Sequence, residues 1–184
     1  MRTIVVVNYD PSWPDVFERL RAFIWPVLRD VALTVEHVGS TSVPGLPAKQ
    51  IIDMTVVVPT DADIPVAIER LATLGYVHRG DLGVEGREAF YSPDGLPKHH
   101  LYLCQRDSLA LSNHLLVRDY LRTHPEMARE YGELKKRLAR DFPYDIDSYI
   151  DGKTDLILKI LRAANFPAAE LDVVEGANRM KTTQ

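Results

Sequence analysis

The chain's 184 residues, 46% hydrophobic and 26% charged, are enough for one sizeable core, or for a core with a helical appendage. A formal net charge of -4 gives no reason to expect a nucleic-acid partner or an anionic membrane surface. The single cysteine, Cys104, cannot form an internal disulfide, and no apolar run approaches the roughly 18 residues of a membrane span, so we expect a cytoplasmic protein.

The first half of the chain mixes strand-like and helix-like segments. Alternating or continuous apolar runs predict strands, and apolar residues at a 3.6-residue spacing predict helices. The predicted elements, in chain order, are a strand at 3–8, a helix opened by Pro11 and Pro14, strands at 33–38 and 51–58, a helix at 64–74, and strands at 76–78, 87–91 and 99–105.

From Ser108 onward the pattern is helical. The three predicted helices begin, in order, at the capping residue Ser108, at the capping box Thr123-His124-Pro125-Glu126, and at Asp145 or Asp147. They are expected to end near residues 123, 142 and 165. We therefore predict an α/β (α+β) mixed sheet domain over 1–106, a three-helix C-terminal subdomain over 107–166, and a peripheral tail over 167–184.

Asp53 is the first candidate functional residue, because it is a carboxylate on an otherwise apolar strand. It shares one face of that strand with Thr55 and Val57. A bare carboxylate in this setting is costly unless it forms a salt bridge or binds a metal. The preceding turn, Gly39-Ser40-Thr41-Ser42, offers backbone N–H groups and hydroxyls to a phosphate and so favours the functional interpretation. Lys49, just before the strand, is either a phosphate contact or a solvated side chain.

The adjacent residues His99 and His100 point to opposite faces of their strand. His99 shares a face with Leu101 and Leu103, which predicts that it leans toward the core. His100 shares the other face with Tyr102. If that is the face of Asp53, His100 is a candidate metal ligand or proton-transfer group, and a hydrogen-bonded imidazole within the sheet is the alternative.

Two of the predicted helices carry a lysine inside their apolar stripe. Lys135 lies four residues after Tyr131, and Lys153 lies four residues after Tyr149. Arg118 occupies a similar inward-facing line in the preceding helix. Snorkelling at the edge of the stripe explains any one of these cations, whereas all three together suggest a shared anion site.

Several ordered motifs between residues 7 and 161 resemble the GrpB family. They are Tyr9-Asp10-Pro11-Ser12-Trp13-Pro14, the run from Glu36 to Leu46, Ile51-Ile52-Asp53, His99-His100-Leu101-Tyr102-Leu103, Arg118-Asp119-Tyr120-Leu121-Arg122, Tyr131-Gly132-Glu133-Leu134-Lys135, and Tyr149 with Lys153. The resemblance implies a nucleotidyltransferase-like mixed β-sheet with flanking helices. It also implies that the Gly-Ser turn holds nucleotide phosphates and that the next strand carries carboxylates.

The resemblance assigns roles to the candidate residues. Asp53 takes the first carboxylate position and is expected, with His100, to be catalytic and to hold Mg²⁺ or Mn²⁺. Thr55 stands where the superfamily has its second carboxylate. The residues expected to bind substrate are Gly39, Ser40, Thr41, Ser42, Lys49, Arg118, Tyr131, Lys135, Tyr149 and Lys153.

Three functions remain open from the sequence. The first is metal-dependent transfer of a nucleotidyl group from a nucleoside triphosphate to an unknown acceptor. The second is a non-catalytic module that binds a nucleotide or another phosphorylated small molecule at a degenerate metal site, which the missing second carboxylate favours. The third is a protein-interaction scaffold whose working surface is the helical half.

Overall fold

A five-stranded mixed sheet lies at the centre of the structure, a computed structural model that describes residues 3–179. The strands and helices, in chain order, are α1 (Trp13–Leu28), β1 (Thr34–Val38), β2 (Ile52–Val58), α2 (Asp63–Ala72), β3 (Val77–His78), β4 (Arg87–Tyr91), β5 (His99–Gln105), α3 (Leu109–Thr123), α4 (Pro125–Asp141), α5 (Ile146–Ala163) and α6 (Leu171–Arg179). Single 3₁₀ turns occur at Ser40–Ser42 and Ala168–Glu170.

The strand order β1-β2-β5-β4-β3 places β2 and β5 side by side in the sheet. These two strands are parallel, and their register sets Asp53 opposite His100 and Thr55 opposite Tyr102. The other pairings are antiparallel. Residues in register on neighbouring strands point to the same face, so Asp53 and His100 share one face of the sheet.

The opposite face of the sheet packs against α1 and α2. Met54, Val56 and Leu101 are completely buried there, together with Ile24 and Leu28 of α1. The alternation along β2 therefore divides the strand into an apolar core face and a face that carries Asp53. Burial of these aliphatic side chains contributes most of the stability that fixes the strand register.

The helices α3, α4 and α5 lie on the Asp53 side. Ala110 and Leu111 of α3 pack on Val57 and Cys104 of the sheet. A Cβ atom on Gly132 of α4 would lie 2.8 Å from Pro47 Cδ. This close approach holds α4 against the segment that leads into β2. None of the helices within residues 3–179 has the length and apolar character needed to cross a membrane.

Two local predictions from the sequence are wrong. Residues 3–8 form no strand, because this segment pairs only through Val7 with Ala48 and through a hydrogen bond from Ile4 N to Pro143 O, away from the sheet. Thr123 does not cap α4. It ends α3 instead, and its hydroxyl donates to backbone carbonyls of that helix, so the capping-box interpretation fails. By contrast, Ser108 caps α3 as predicted.

The segment after Phe166 forms an element that the sequence pattern did not indicate. Leu171 of α6 is buried, and Arg179 forms ion pairs with Asp151 and Asp155 of α5. The helix is therefore attached to α5 through both apolar and charged contacts. Residues 180–184 of the expected tail lie outside the described residues, and the domain boundaries stay a prediction.

Candidate functional site

A cavity of about 220 Å³ lies between the sheet and the helices α4 and α5. Its walls come from the turn after β1, from β2 and β5, and from the two helices. The predicted site residues that line it are Ser40, Thr41, Lys49, Asp53, His100, Lys135, Tyr149 and Lys153. The fold therefore brings the serine turn and the sheet carboxylate together with the lysines of the helical half.

The serine turn fits closely against Asp53. Gly39 has a φ of 68° and a ψ of -171°, a conformation that side chains other than hydrogen strongly disfavour. A Cβ atom at Gly39 would lie 2.9 Å from both Cβ and Cγ of Asp53 and would collide with its Oδ2. The Ser42 hydroxyl donates to the Gly39 carbonyl at 2.6 Å and closes the turn. Glycine at this position allows the turn to lie directly against the carboxylate.

Asp53 is paired with His100 of the neighbouring strand. The Nδ1 atom of His100 lies 2.9 Å from Oδ1 of Asp53. Burial raises the pKa of the Asp53 carboxyl, but the hydrogen bond from His100 and the nearby positive charges outweigh burial and leave the pKa below its ordinary value. The carboxylate is therefore ionised at neutral pH and stands as the negative charge of the cavity.

Lys135 is buried, with 2% of its surface exposed, so its ammonium group does not snorkel to solvent. Its Nζ donates to the carbonyl of Pro47 and lies 4.6 Å from the centroid of the Tyr131 ring. Burial, reinforced by the nearby charge of Lys153, holds the pKa of Lys135 well below its ordinary value. A cationic form of this side chain would be stabilised by an anion in the cavity.

The Tyr149 ring is a shared platform for two further lysines. Nζ of Lys153 lies 4.6 Å from its centroid, and Nζ of Lys49 lies 5.4 Å from it. Cation–π contacts of this kind position an ammonium group. The Tyr149 ring therefore helps to place both lysines in the wall of the cavity.

The remaining predicted site residues lie outside this cavity. Arg118 pairs with Glu36 and Asp119, each at 2.7 Å, because α3 sets it against β1 and not against α4. With Gly39 and Tyr131, Arg118 lines a smaller cavity of about 150 Å³, which also contacts Ser40.

Ser42 is buried, and its carbonyl accepts hydrogen bonds from Arg122. It therefore stabilises the turn and does not line the 220 Å³ cavity.

Two histidines support the site and were missed from the sequence. His37 stacks on Phe17 and hydrogen-bonds the Thr41 hydroxyl at 3.0 Å, and burial lowers its pKa to about 4. His114 of α3 lies 3.3 Å from the Thr55 hydroxyl, and burial likewise lowers its pKa to about 4. His37 precedes the serine turn by two residues, a signal that was available, whereas nothing local marks His114.

His99 faces the core, as its strand alternation predicted. It is buried, and its Nε2 lies 2.7 Å from the Tyr76 hydroxyl while its Nδ1 lies 2.7 Å from the Pro97 carbonyl. Both ring nitrogens are thus engaged on the side away from the cavity. Only His100 of the adjacent pair belongs to the candidate site.

Comparison with known proteins identifies the family. Residues 3–163 match the family described as GrpB protein. The chain belongs to the GrpB family. It is 35% identical over 156 residues to the UPF0157 protein YqkA of Bacillus subtilis (strain 168), a match that covers 85% of this chain but only 46% of that longer protein. The crystal structure of the conserved protein GrpB from Enterococcus faecalis superposes with a TM-score of 0.78 at 37% identity, covering 87% of this chain and 96% of that one.

More distant structures establish the fold class of this GrpB protein. The GLD-2/RNP-8 complex shares only 13% identity but superposes with a TM-score of 0.52 over 83% of this chain and 59% of that chain. The nucleotidyltransferase-like mixed sheet with flanking helices, predicted from the sequence, is confirmed. At this identity the likeness concerns the fold alone.

The residues of this GrpB protein do not fit a two-metal centre. Among residues 3–179, Asp53 is the one carboxylate that lines the cavity. Thr55, which the family resemblance aligns with a second carboxylate, is fully buried, and its hydroxyl is engaged with His114. Within residues 3–179 no group of three or more histidine, cysteine, aspartate or glutamate side chains is arranged to hold a metal. Two bound cations need several carboxylates, which these donors do not supply.

Proposed function

We propose that the 220 Å³ cavity binds phosphate groups of a nucleotide or of another phosphorylated small molecule. The observation that carries the proposal is the convergence of Lys49, Lys135 and Lys153 on a cavity whose lining includes one carboxylate, Asp53. Ser40 of the serine turn also lines the cavity and adds a neutral hydroxyl donor. Lysine ammonium groups and hydroxyls are ordinary phosphate ligands.

The electrostatics of Lys135 support an anionic ligand. Burying the Lys135 ammonium group is unfavourable even with its hydrogen bond to the Pro47 carbonyl, and the charges of Lys153 and Lys49 add repulsion to this cost. Asp53 supplies only part of the compensating negative charge. A phosphate in the cavity supplies the rest, so its binding free energy includes relief of repulsion among the lysines.

The size of the cavity limits which part of a ligand enters it. At about 30 Å³ for each water molecule, 220 Å³ corresponds to about seven waters. This space accommodates a phosphate or a diphosphate, whereas the sugar and base of a nucleotide must lie outside it. The proposal therefore concerns recognition of the phosphate part and leaves the remainder of the ligand to neighbouring surfaces.

Calorimetric titration with inorganic pyrophosphate in the presence of EDTA tests the proposal. We expect saturable binding that Lys153→Met weakens at least about tenfold, because a charge-assisted contact is lost. Lys159→Met is the matched control, since Lys159 is on the same helix but is exposed and pairs with Glu130. Absence of pyrophosphate binding at millimolar concentration, or equal losses in both variants, would contradict the proposal.

Metal-dependent nucleotidyl transfer is the second candidate function. It is favoured by the fold and by the position of Asp53 against the Gly39–Ser40 turn. The test is incubation with labelled nucleoside triphosphates, Mg²⁺ or Mn²⁺ and a panel of acceptors. Turnover that disappears in Asp53→Asn supports transfer, and pyrophosphate binding with no turnover in any acceptor reaction supports a binding module instead.

A further inference from the structure

His100 stands at the mouth of the 220 Å³ cavity, whereas Lys135 lies in its buried part. The imidazole of His100 lines the cavity, and 48% of its side-chain surface is exposed. Lys135, which has 2% of its surface exposed, and Tyr149, which has 1%, line the same cavity. A phosphorylated ligand that enters from solvent therefore passes His100 before its terminal phosphate reaches the buried lysine.

The hydrogen bond to Asp53 determines which nitrogen of the His100 ring carries the hydrogen. Nδ1 lies 2.9 Å from Oδ1 of Asp53, and this is the hydrogen bond that the ring forms within residues 3–179. An ionised carboxylate only accepts hydrogen bonds, so Nδ1 is the donor. In the neutral ring the lone pair is therefore on Nε2, the nitrogen that Asp53 does not engage.

A histidine held in this way is arranged as a nucleophile. The carboxylate fixes the tautomer and the orientation of the ring, and it stabilises the positive charge that the ring acquires when Nε2 forms a bond. Two other nucleophilic side chains of the cavity are already engaged. The Thr41 hydroxyl is buried against His37 at 3.0 Å, and Nζ of Lys135 donates to the Pro47 carbonyl. His100 is therefore better placed than either to attack a phosphorus atom.

We propose that His100 is the nucleophile of a nucleotidyl transfer that passes through a covalent intermediate on the protein. This inference rests on the proposed function, because it needs the diphosphate end of a nucleoside triphosphate in the lysine cavity. The cavity has room for a diphosphate and for no more of a nucleotide. With the β- and γ-phosphates at Lys135 and Lys153, the α-phosphorus lies at the mouth beside His100, and the sugar and base lie outside.

The reaction has two steps. In the first, the Nε2 lone pair forms a bond to the α-phosphorus while the bond from this phosphorus to the bridging oxygen breaks. The electron pair leaves on the diphosphate, whose added charge the lysines stabilise, and the proton stays on Nδ1, shared with Asp53. In the second, an acceptor hydroxyl or water attacks the phosphorus, the electron pair of the phosphorus–nitrogen bond returns to Nε2, and the hydroxyl proton passes to solvent.

Labelling of the full chain tests for the intermediate. The protein is incubated with each of the common ribonucleoside triphosphates, labelled with ³²P at the α- or the γ-phosphorus, in EDTA and separately with Mg²⁺. We expect protein-bound label from the α-position alone, stable in alkali and lost in acid, as is usual for a phosphoramidate. Mass spectrometry of an alkaline digest should place the label on His100. Because the first step is reversible, labelled pyrophosphate should also exchange into the triphosphate without any acceptor.

Two histidine variants form a matched pair. His100→Asn removes Nε2, while the asparagine amide N–H can still donate to Asp53. The exchange rate should therefore fall at least about a hundredfold, and the affinity for pyrophosphate should change by less than about threefold. His78→Asn is the control, because His78 is also paired with a carboxylate, Glu88, but does not line the cavity. This control should label and exchange as the wild type does.

The outcomes separate this inference from the proposed function. Label or exchange that depends on His100 in either metal condition supports the inference. Pyrophosphate binding with neither label nor exchange, in EDTA and with Mg²⁺, would overturn the role of His100 and leave phosphate binding intact. Acid-stable label, label from the γ-position, or label that persists in His100→Asn would also overturn it. Absence of pyrophosphate binding would remove both proposals.

Discussion

Replacing Gly39 with alanine tests how tightly the serine turn is fitted against Asp53. Two separate costs follow from the structure. The backbone conformation at Gly39, with φ at 68° and ψ at -171°, costs an alanine about 1–3 kcal/mol. The new methyl group would lie 2.9 Å from Cγ of Asp53, and overpacking of this kind costs a further 1–3 kcal/mol or so. We therefore expect Gly39→Ala to lower the free energy of unfolding by about 4 kcal/mol.

Gly45 in the same loop provides the matched control. It also has a positive φ, 78°, but a Cβ atom there would meet nothing within 4 Å. Gly45→Ala should therefore cost only the backbone term, about 1–2 kcal/mol. Comparison of the two variants isolates the collision with Asp53 from the strain of the backbone.

Urea unfolding followed by circular dichroism measures both values. With a slope of about 2 kcal/mol per molar urea, Gly39→Ala should move the midpoint down by about 2 M and Gly45→Ala by less than about 1 M. In the double variant Gly39→Ala/Asp53→Ala, the loss of unfolding free energy should be smaller than the sum of the two single losses. The reason is that removing the Asp53 carboxyl group also removes the collision with the new methyl group. Equal midpoints for Gly39→Ala and Gly45→Ala, or strict additivity with Asp53→Ala, would refute the close fit.

Three further outcomes are expected from urea midpoints. The pKa values of His37 and His114 are lowered from 6.5 to about 4, so the unfolded chain binds the extra protons as the pH falls. The free energy of unfolding should fall by about 2–3 kcal/mol per histidine by about pH 4.5, and His37→Gln should show a shallower fall. Burial holds the pKa of Lys135 below 10.5 in the folded state, so the unfolded chain binds the extra proton. The stability of wild type relative to Lys135→Met should therefore rise as the pH increases toward 10.5, by at most about 1.4 kcal/mol per pH unit, and a flat difference would contradict this. Gly132→Ala should lower the free energy of unfolding by about 1–2 kcal/mol, although alanine has the better helix propensity, because the new methyl group meets Pro47. A stabilised variant would show that this contact relaxes freely.

Local chemistry explains most of what the sequence predicted correctly about the fold. The alternation along β2 and β5 identified the core face, and Ser108 and Asp145 are helix caps whose partners lie three residues away. The failures depend on distant contacts. Residues 3–8 have strand-like composition, but their partners lie near Ala48 and Pro143 instead of at a sheet edge.

The candidate site also has residues that a local pattern predicts and residues that depend on distant contacts. Strand periodicity predicts the face on which Asp53 lies, and the helical spacing of tyrosine and lysine predicts that Lys135 and Lys153 point inward. Arg118 has a similar spacing yet pairs with Glu36, a residue 82 positions away in the chain. His114 contacts Thr55, 59 positions away. Neither partner is visible in a local pattern, so the sequence did not separate Arg118 from the lysines or reveal His114.

The proposed function depends on which groups neutralise the phosphates. In a two-metal site, bound cations carry the positive charge and carboxylates hold them. In this chain Asp53 is joined by Thr55 instead of a second carboxylate on the same strand face, whereas Lys49, Lys135 and Lys153 bring positive charge from the protein itself. A site of this design should bind pyrophosphate without a metal and should weaken as salt screens its less buried lysines. Affinity that requires Mg²⁺ in the wild type would instead show that Asp53 and His100 recruit a cation together with the ligand, and that outcome would favour the transferase candidate.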